Sequence, residues 1–553
     1  MKRLTLLVVV IATALLGLNA QNAIESALRR AQQQQQQQRN DFTPEMKLRY
    51  AERIIENFYV DDVDSVAAER MVQDAIIAML KNLDPHSTYS DPDETRELTT
   101  PLEGNFSGIG IQFNMLNDTL FVIQTTPGGP CEKVGVLPGD RILSANDTII
   151  SGRKLQNADI IKTLRGPKGT RVDLKVMRRG EPEPLTFSLV RDDIPMYSVD
   201  ASFMADPTTG YVRITRFAQD TDRELAEAID KLKKQGMKNI IIDLEDNGGG
   251  YLGAATSIAN MFLPKGAPIV YTESPRQGSN YFNADKNGRF LDGRVVIMVN
   301  QYSASASEIL SGAIQDNDRG LIVGRRTFGK GLVQRPFPFP DGSMIRLTVS
   351  RYHTPSGRCI QRPYDSGDPE EYNMDFVRRY EHGEFMSADS IQFADSLRFE
   401  TLHNRRPVYG GGGIMPDLFV PVDTTGYSAY YRDLVARGVI NSFAISYVDD
   451  NREKLKKEYP TEQAFLDRFE VTPGMIDDLV KLAQSREIEP NPEALETSRN
   501  TIEIILKGII GRDLFEQSTY YRAVYPVLNP EYRAALDLIN DTKQYNELLK
   551  GKK

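Results

Sequence analysis

The sequence predicts an α/β protein with helical regions at both ends, and three observations support this class. Between residues 193 and 425, short apolar strands alternate with stretches of helical spacing, as in a β-sheet flanked by helices. Before residue 104 and after residue 425, apolar residues recur mainly at the three- and four-residue intervals of amphipathic helices. The chain has 553 residues and is 40% hydrophobic, so it can form several cores.

The N-terminus has the pattern of a secretory signal peptide. Lys2 and Arg3 precede an apolar run at residues 4–18, and Ala20 offers a small residue for cleavage. We therefore expect residues 1–20 to be a signal peptide and the mature protein to be exported, with the periplasm as the expected compartment. An uncleaved signal that tethers the protein to the inner membrane is the alternative. Residues 21–41 are a glutamine-rich spacer, and residues 42–103 form the N-terminal helical region.

Residues 104–192 contain glycine-rich turns around short strands. An apolar strand at residues 120–124 follows the run Asn105-Phe106-Ser107-Gly108-Ile109-Gly110-Ile111. A glycine-rich loop exposes successive N–H groups that can bind a terminal carboxylate, and the edge of the following strand can accept a peptide as an added strand. The alternative is a turn that opens a strand and binds nothing.

The elements of the α/β region follow in alternation. We expect strands at residues 210–214, 239–244 and 295–299, and helices at residues 224–234, 254–262 and 308–315. Residues 426–553 form a C-terminal helical domain without a catalytic motif. This domain is either a packed helical unit or a surface for an adaptor or for homo-oligomerisation.

Ser305 and Lys330 are the residues most indicative of chemistry. Ser305 lies in a turn of small residues before an apolar helix, where backbone N–H groups and the helix dipole favour a developing oxyanion. Lys330 lies 25 positions later between two glycines, with Phe328, Leu332 and Val333 around it. Burial must lower the pKa of a lysine by roughly 3 units, about 4 kcal/mol, before it can act as a base at neutral pH. We interpret the pair as a serine/lysine dyad.

Each of these motifs also has an ordinary structural explanation. A serine cluster before a helix is most often an N-cap, and Gly-Lys-Gly is usually a surface turn. A triple glycine after a strand is as often a phosphate-binding turn or a plain turn as an oxyanion hole. The catalytic interpretation depends on the motifs occurring together and in this order.

The runs Ser-Ala-Ser-Ala-Ser-Glu at residues 303–308 and Thr-Phe-Gly-Lys-Gly-Leu-Val-Gln at residues 327–334 resemble those of the C-terminal processing peptidases, also called tail-specific proteases. The resemblance implies that Ser305 is the nucleophile, Lys330 the general base and Gln334 the residue that orients the lysine. It also implies a serine peptidase core at residues 193–425, with a β-sheet flanked by helices. The segment Leu83-Asp84-Pro85-His86-Ser87-Thr88-Tyr89 resembles the family's Asp-Pro-His-Ser turn, and we expect it to position the domain that follows.

A second segment of this family precedes the dyad. A buried parallel strand is predicted at residues 240–244, and Gly248-Gly249-Gly250 follows it closely. The resemblance suggests an oxyanion hole formed by the amides of Gly249 and Ala306. The sequence departs from the family in having Glu245 and Asp246 where arginine and asparagine are usual.

Residues 104–192 resemble a PDZ domain of the protease type. The resemblance implies a site for a peptide tail, with Ser107, Gly108 and Ile109 in the carboxylate-binding loop. In the relatives such a domain either delivers the substrate or blocks the groove until a ligand moves it.

Composition argues against other classes. A net charge of −9 without a basic patch argues against a nucleic-acid-binding protein. The four histidines and two cysteines have no metal-ligand spacing, so we predict neither a metal site nor a cofactor. Cys131 and Cys359 are expected to be unpaired thiols or buried small hydrophobes, and a disulfide between them, which export would allow, is the alternative.

Together these features predict an exported serine endopeptidase that cleaves proteins near their C-termini. Its expected partners are protein or peptide substrates with free C-termini. A noncatalytic peptide-binding or scaffolding protein on the same fold is the alternative.

Overall fold

The computed structural model describes residues 43–116, 118–364 and 369–551, together with residues 26 and 28–30. The predicted signal peptide and nearly all of the glutamine-rich spacer therefore lie outside the described residues. The chain divides into two compact units, one ending at Leu80 and the other beginning at Lys81. Among the residues described, no helix has the length and apolar character needed to cross a bilayer.

Among the described residues, the first unit includes the helix α1 (Pro44–Phe58) and all but the last residue of α2 (Ser65–Lys81). Thr43 caps α1 by accepting the N–H of Met46 at 3.3 Å, and Pro44 at the first helical position has no N–H to satisfy. The predicted helical spacing is thus confirmed here. The apolar side chains of Ile54, Ile55 and Phe58 on α1 are exposed.

The second unit begins with a strand, β1 (Thr88–Ser90), and a helix, α3 (Pro92–Glu103). The region up to residue 103 is therefore not helical throughout. β1 forms because it finds an antiparallel partner far along the chain, with Thr88 opposite Arg346 and Ser90 opposite Met344.

The next segment is the one predicted to be a PDZ domain. Its elements are β2 (Asn105–Gly108), β3 (Ile111–Leu116), β4 (Thr119–Thr125), α4 (Pro130–Lys133), β5 (Arg141–Ala145), β6 (Thr148–Ile149), α5 (Asn157–Leu164), β7 (Arg171–Met177), β8 (Leu185–Val190) and β9 (Asp192–Pro195). The main sheet has the order β3-β4-β5-β7-β8, and β2 pairs with β9. Buried Leu120, Val122, Ile142 and Leu174 fill its core. β3 lies at an edge of the sheet.

The α/β core follows. Its elements are β10 (Val199–Met204), β11 (Thr209–Ile214), α6 (Thr221–Lys234), β12 (Asn239–Asp243), α7 (Leu252–Asn260), β13 (Pro268–Ser274), β14 (Gly278–Asn283), β15 (Val295–Val299), α8 (Ala306–Asp316), β16 (Leu321–Gly324), β17 (Leu332–Pro338), β18 (Met344–His353), α9 (Pro369–Glu381), β19 (Arg398–Glu400), β20 (Pro407–Tyr409) and β21 (Leu418–Phe419), with 3-10 turns at Ala388–Ser390 and Asp395–Leu397. The predicted strands and helices of this region are confirmed as β11, α6, β12, α7, β15 and α8.

The central sheet has the order β10-β11-β12-β15-β16-β21 and is parallel from β11 onward. Its strands are apolar on both faces because helices cover both. α6, α7 and α8 pack on one face. A second, antiparallel sheet contains β1, β18, β13 and β14, and β17 pairs with β18.

The C-terminal helices have two packing roles. They are α10 (Ala429–Ala436), α11 (Val439–Glu458), α12 (Glu462–Arg468), α13 (Pro473–Ser485), α14 (Pro492–Leu514), α15 (Gln517–Leu528), α16 (Pro530–Asn540) and α17 (Thr542–Leu549). α10 to α14 form a core of their own. Tyr521, Tyr532, Leu538 and Tyr545 of the last three helices cover the second face of the central sheet, so this part of the C-terminal region completes the α/β core.

Candidate active site

Ser305 is the last residue of the loop that connects β15 to α8, at the carboxyl edge of the parallel sheet. Its backbone has φ 55° and ψ −111°, a region that non-glycine residues rarely adopt. Strain of this kind persists only where surrounding contacts enforce it, and it is concentrated at functional sites.

The neighbouring serines have structural bonds. The Ser303 hydroxyl donates to the carbonyl of Leu244 at 2.8 Å, and the Ser307 hydroxyl donates to the carbonyl of Asn247 at 2.8 Å. Both residues are fully buried, whereas Ser305 is half-buried. Of the three serines predicted in this turn, Ser305 is therefore the one that a substrate can reach.

Lys330 lies in the loop between β16 and β17, and its ammonium Nζ donates to Oε1 of Gln334 at 2.9 Å. Burial lowers the pKa of Lys330 from 10.5 to about 8, and the charge of Arg346 acts in the same direction. The carboxylates of Glu308 and Asp84 oppose this shift in pKa. A lysine of this pKa is partly neutral near physiological pH and can accept a proton.

The carboxylate of Glu308 joins the two halves of the site. Its Oε2 accepts the N–H of Ser305 at 2.8 Å and the N–H of Lys330 at 2.9 Å. Its Oε1 accepts the Thr327 hydroxyl at 2.6 Å and the N–H of Gly329 at 2.7 Å. Glu308 is completely buried, so these four bonds compensate for the loss of water.

Burial raises the pKa of Glu308, and its hydrogen bonds oppose that rise. A second bridge is Tyr352, whose hydroxyl is within 2.8 Å of the Lys330 carbonyl and 3.2 Å of the Ser305 carbonyl. Sequence reasoning missed both residues as parts of the site. The spacing Ser305-x-x-Glu308, which is that of a capping box, was a signal for Glu308.

Gly249 lies directly against the turn of Ser305. It has φ 103°, and a Cβ atom there would lie 2.8 Å from the carbonyl oxygen of Ala304 and 2.9 Å from the amide nitrogen of Ala306. The structure therefore brings together Gly249 and Ala306, the two predicted oxyanion donors. The N–H of Gly249 donates to Oδ1 of Asn247 at 2.9 Å, a contact that the sequence did not indicate.

The two positions that depart from the family pattern have distinct surroundings. Glu245 is buried and accepts the side-chain N–H of Asn529 at 2.8 Å. Burial raises its pKa well above the usual range, and the nearby carboxylates of Asp243 and Glu531 add to that rise. Asp246 pairs with Asn300 through two hydrogen bonds of 2.8 and 3.1 Å, which tie the glycine turn to the loop of Ser305.

The Asp-Pro-His-Ser turn lies beside the lysine. The side-chain amide of Gln334 donates through Nε2 to the backbone carbonyl of His86. The turn contacts Gln334 and Thr348 of β18, both far along the chain, and its role in positioning the following domain stays a prediction.

The predicted PDZ domain has a groove of about 410 Å³ between β3 and α5, with Gly108, Ile109 and Ile161 among the residues that line it. Ser107 is not part of this lining: it lies between Phe106 and Gly108 on β2, and successive residues of a strand face opposite sides. Arg165 lies at the groove with its guanidinium 4.4 Å from the ring centroid of Phe106. The exposed edge of β3 borders the groove and can receive an added strand.

Comparison with known proteins gives three family matches. Residues 208–366 match peptidase family S41, residues 107–189 match the PDZ domain, and residues 430–516 match a family of unknown function. A carboxy-terminal-processing protease of Bartonella bacilliformis is 36% identical over 298 residues, which is 53% of this chain and 68% of that protein. The carboxy-terminal processing protease CtpA of Bacillus subtilis is 34% identical over 317 residues, which is 57% of this chain and 66% of that protein.

Among solved structures, the photosystem II D1 C-terminal processing protease is 31% identical, with 56% of this chain and 89% of that chain covered at a TM-score of 0.32. The matches to the curated relatives span about two thirds of their length. These findings define a serine-type peptidase that carries a PDZ domain. The chain belongs to peptidase family S41, among the carboxy-terminal processing proteases.

Proposed function

We propose that this protein is an exported endopeptidase that cleaves proteins near their C-termini, with Ser305 as nucleophile and Lys330 as general base. The observation that supports this most is the single buried carboxylate of Glu308, which accepts from the backbones of both residues. Such a contact holds a strained serine and a lysine of lowered pKa in one site.

Catalysis begins when the neutral amine of Lys330 takes the proton from the Ser305 hydroxyl. The oxygen attacks the scissile carbonyl carbon, and the tetrahedral oxyanion accepts the N–H of Ala306 together with that of Gly249, which exchanges its hydrogen bond to Asn247 for the oxyanion. The ammonium of Lys330 then protonates the leaving amine, and an acyl-enzyme ester remains on Ser305. Lys330 next deprotonates a water molecule, and the hydroxide attacks the ester carbonyl. The bond from the carbonyl carbon to the Ser305 oxygen then breaks, and the Lys330 ammonium returns its proton to that oxygen, which regenerates the serine. Throughout the cycle, Oε1 of Gln334 accepts a hydrogen bond from Nζ of Lys330.

The PDZ groove provides tail recognition in this proposal. A substrate C-terminus pairs with the edge of β3, and its carboxylate meets the N–H groups of Gly108 and Ile109 near the cation of Arg165. Binding there either delivers the tail to Ser305 or shifts the enzyme to an active state. The C-terminal helices offer a further surface for an adaptor or a second copy.

The basic residues and apolar run at the N-terminus support export, with the periplasm as the compartment.

The test compares the wild type with Ser305→Ala on an unfolded reporter whose apolar tail ends in a free carboxylate or an amide. Ser485→Ala, an exposed serine at the end of α13, is the matched control. We expect cleavage to be lost only in Ser305→Ala and to be faster for the free carboxylate. A wild type that binds both tails and cuts neither would favour the noncatalytic scaffold instead.

A further inference from the structure

The turn at residues 84–87 is held rigidly on β18 by one buried carboxylate. Oδ1 of Asp84 accepts the N–H groups of His86 and Ser87 at 2.8 and 2.9 Å and the Thr348 hydroxyl at 3.1 Å. Oδ2 accepts the Ser87 hydroxyl at 2.6 Å, and the Ser87 oxygen accepts the N–H of Thr348 at 3.1 Å. Asp84 is 6% exposed, so the geometry of this turn is set by protein contacts.

Gln334 lies on β17 directly opposite Thr348 of β18, at the same level as the turn. Its Nε2 donates to the carbonyl of His86, and its Oε1 accepts from Nζ of Lys330 at 2.9 Å. A backbone carbonyl can only accept a hydrogen bond, and an ammonium group can only donate. One orientation of the Gln334 amide satisfies both neighbours, and the reversed orientation satisfies neither.

The turn is also fixed from a second side. The His86 ring is 2.9 Å from the hydroxyl of Tyr372, which accepts from the side chain of Gln361 at 3.3 Å. Gln361 in turn accepts the N–H of Gly331 at 2.8 Å, next to the lysine. Burial lowers the pKa of His86 to about 3, and the charge of Lys330 adds to this effect, so the ring stays neutral beside the lysine.

We propose that the turn at residues 84–87 is the positioning element of the general base: the His86 carbonyl selects the orientation of the Gln334 amide, which in turn aims the Lys330 amine at Ser305. This inference rests on the proposed serine/lysine chemistry. If the carbonyl moves, the amide can reverse and present N–H groups to the neutral amine. Those groups occupy the lone pair that must accept the serine proton, so the chemical step slows while substrate binding is unaffected.

The test measures kcat and KM for Asp84→Ala, Gln334→Ala and the double variant. Asp206→Ala is the matched control. The Asp206 carboxylate also accepts four hydrogen bonds, from the N–H and hydroxyl of Thr208, the N–H of Thr209 and the side-chain amide of Asn540. It lies at the edge of the central sheet opposite to Ser305. We expect kcat to fall by about 10- to 100-fold in each of the two single variants with KM unchanged, since small misplacements of a catalytic group have effects of this order. Asp206→Ala should retain wild-type kcat.

The double variant tests whether the turn acts on Lys330 through Gln334. If the turn acts through Gln334, the double variant has the kcat of Gln334→Ala within about threefold, because the two effects are not independent. Multiplicative effects on kcat would overturn the proposal. Asp84→Asn keeps an oxygen acceptor for His86 and Ser87 and should restore most of the kcat lost in Asp84→Ala, whereas equal losses in both would assign the effect to charge.

Circular dichroism melting of each variant reports folding. If Asp84→Ala does not fold, the same cycle is run with Ser87→Ala, which loosens the turn without changing its charge. Ser305→Ala is assayed in parallel. Activity that survives in Ser305→Ala refutes the dyad itself, whereas a dead Ser305→Ala with a multiplicative cycle refutes only the role of the turn.

Discussion

Replacing Lys330 by methionine should abolish activity and at the same time stabilise the fold at neutral pH. The lysine is half-buried, with its pKa lowered from 10.5 to about 8 by burial and by Arg346. Methionine has a similar length, carries no charge and fills the same space without desolvating an ammonium group.

The size of the effect follows from the shift in pKa. The unfolded chain keeps the lysine protonated up to about pH 10.5, whereas the folded protein releases the proton near pH 8. The unfolded state therefore binds more protons between these values, and the stability of the wild type rises with pH across this window. Below pH 8 the lysine is protonated in both states, and burial of its charge lowers the free energy of unfolding by about 3.4 kcal/mol for a shift of this size. Loss of the hydrogen bond to Gln334 offsets roughly 1 to 1.5 kcal/mol, which leaves a net gain of about 2 kcal/mol.

The assay is urea unfolding of Lys330→Met and its parent at pH 6, 7 and 9.5, both carrying Ser305→Ala to prevent self-cleavage. Lys265→Met, at an exposed lysine, controls for the loss of one positive charge. The gain in unfolding free energy should be largest at pH 6 and 7 and smaller at pH 9.5. A variant no more stable than its parent at pH 7, or a gain independent of pH, would refute the reasoning.

Three further predictions concern neighbouring groups. Glu308→Ala leaves four hydrogen-bond donors without an acceptor. It should therefore abolish activity and lower the unfolding free energy by about 3 kcal/mol or more. A melting temperature equal to that of the wild type would contradict this. Gly249→Ala places a methyl group within 2.8 Å of the Ala304 carbonyl at a φ of 103° and should reduce kcat to background, as measured with the reporter peptide. Glu245→Gln should stabilise the protein at pH 7, because the pKa of the buried carboxyl is raised and its ionisation opposes folding there. Below about pH 4.5, where the carboxyl is protonated in both states, urea unfolding should show little difference between Glu245→Gln and the wild type.

The order of elements in the α/β core could be read from the sequence because each element has a local pattern. Strand β15 matches its predicted span, and the predicted helix at residues 224–234 is the C-terminal part of α6. β1 was missed because three residues carry no periodicity, and only pairing with β18 makes them a strand.

The structure also refines the proposed PDZ contacts. Gly108 and Ile109 line the groove, whereas Ser107, which like Gly108 lies in the β2–β9 ladder, does not. The glycine pattern marked the loop, but the alternation of residues along β2 determined which of them face the groove.

The sequence by itself determined which residues are candidates for chemistry. Ser305, Lys330 and the glycine turn at Gly249 stand in short runs whose composition imposes local geometry, so they can be recognised without the fold. Family membership followed from the same runs.

Only the tertiary structure decided what holds these residues in place. Glu308 accepts the backbone N–H of Lys330, which is 22 positions later in the chain. The His86 carbonyl accepts the side-chain amide of Gln334, which is 248 positions later. Similarly, the helices that close the second face of the central sheet come from the C-terminus, as Tyr532 and Leu538 illustrate. Local periodicity specifies which face of an element is apolar, but not which distant segment covers it. Contacts of this kind are therefore determined by packing of the whole chain.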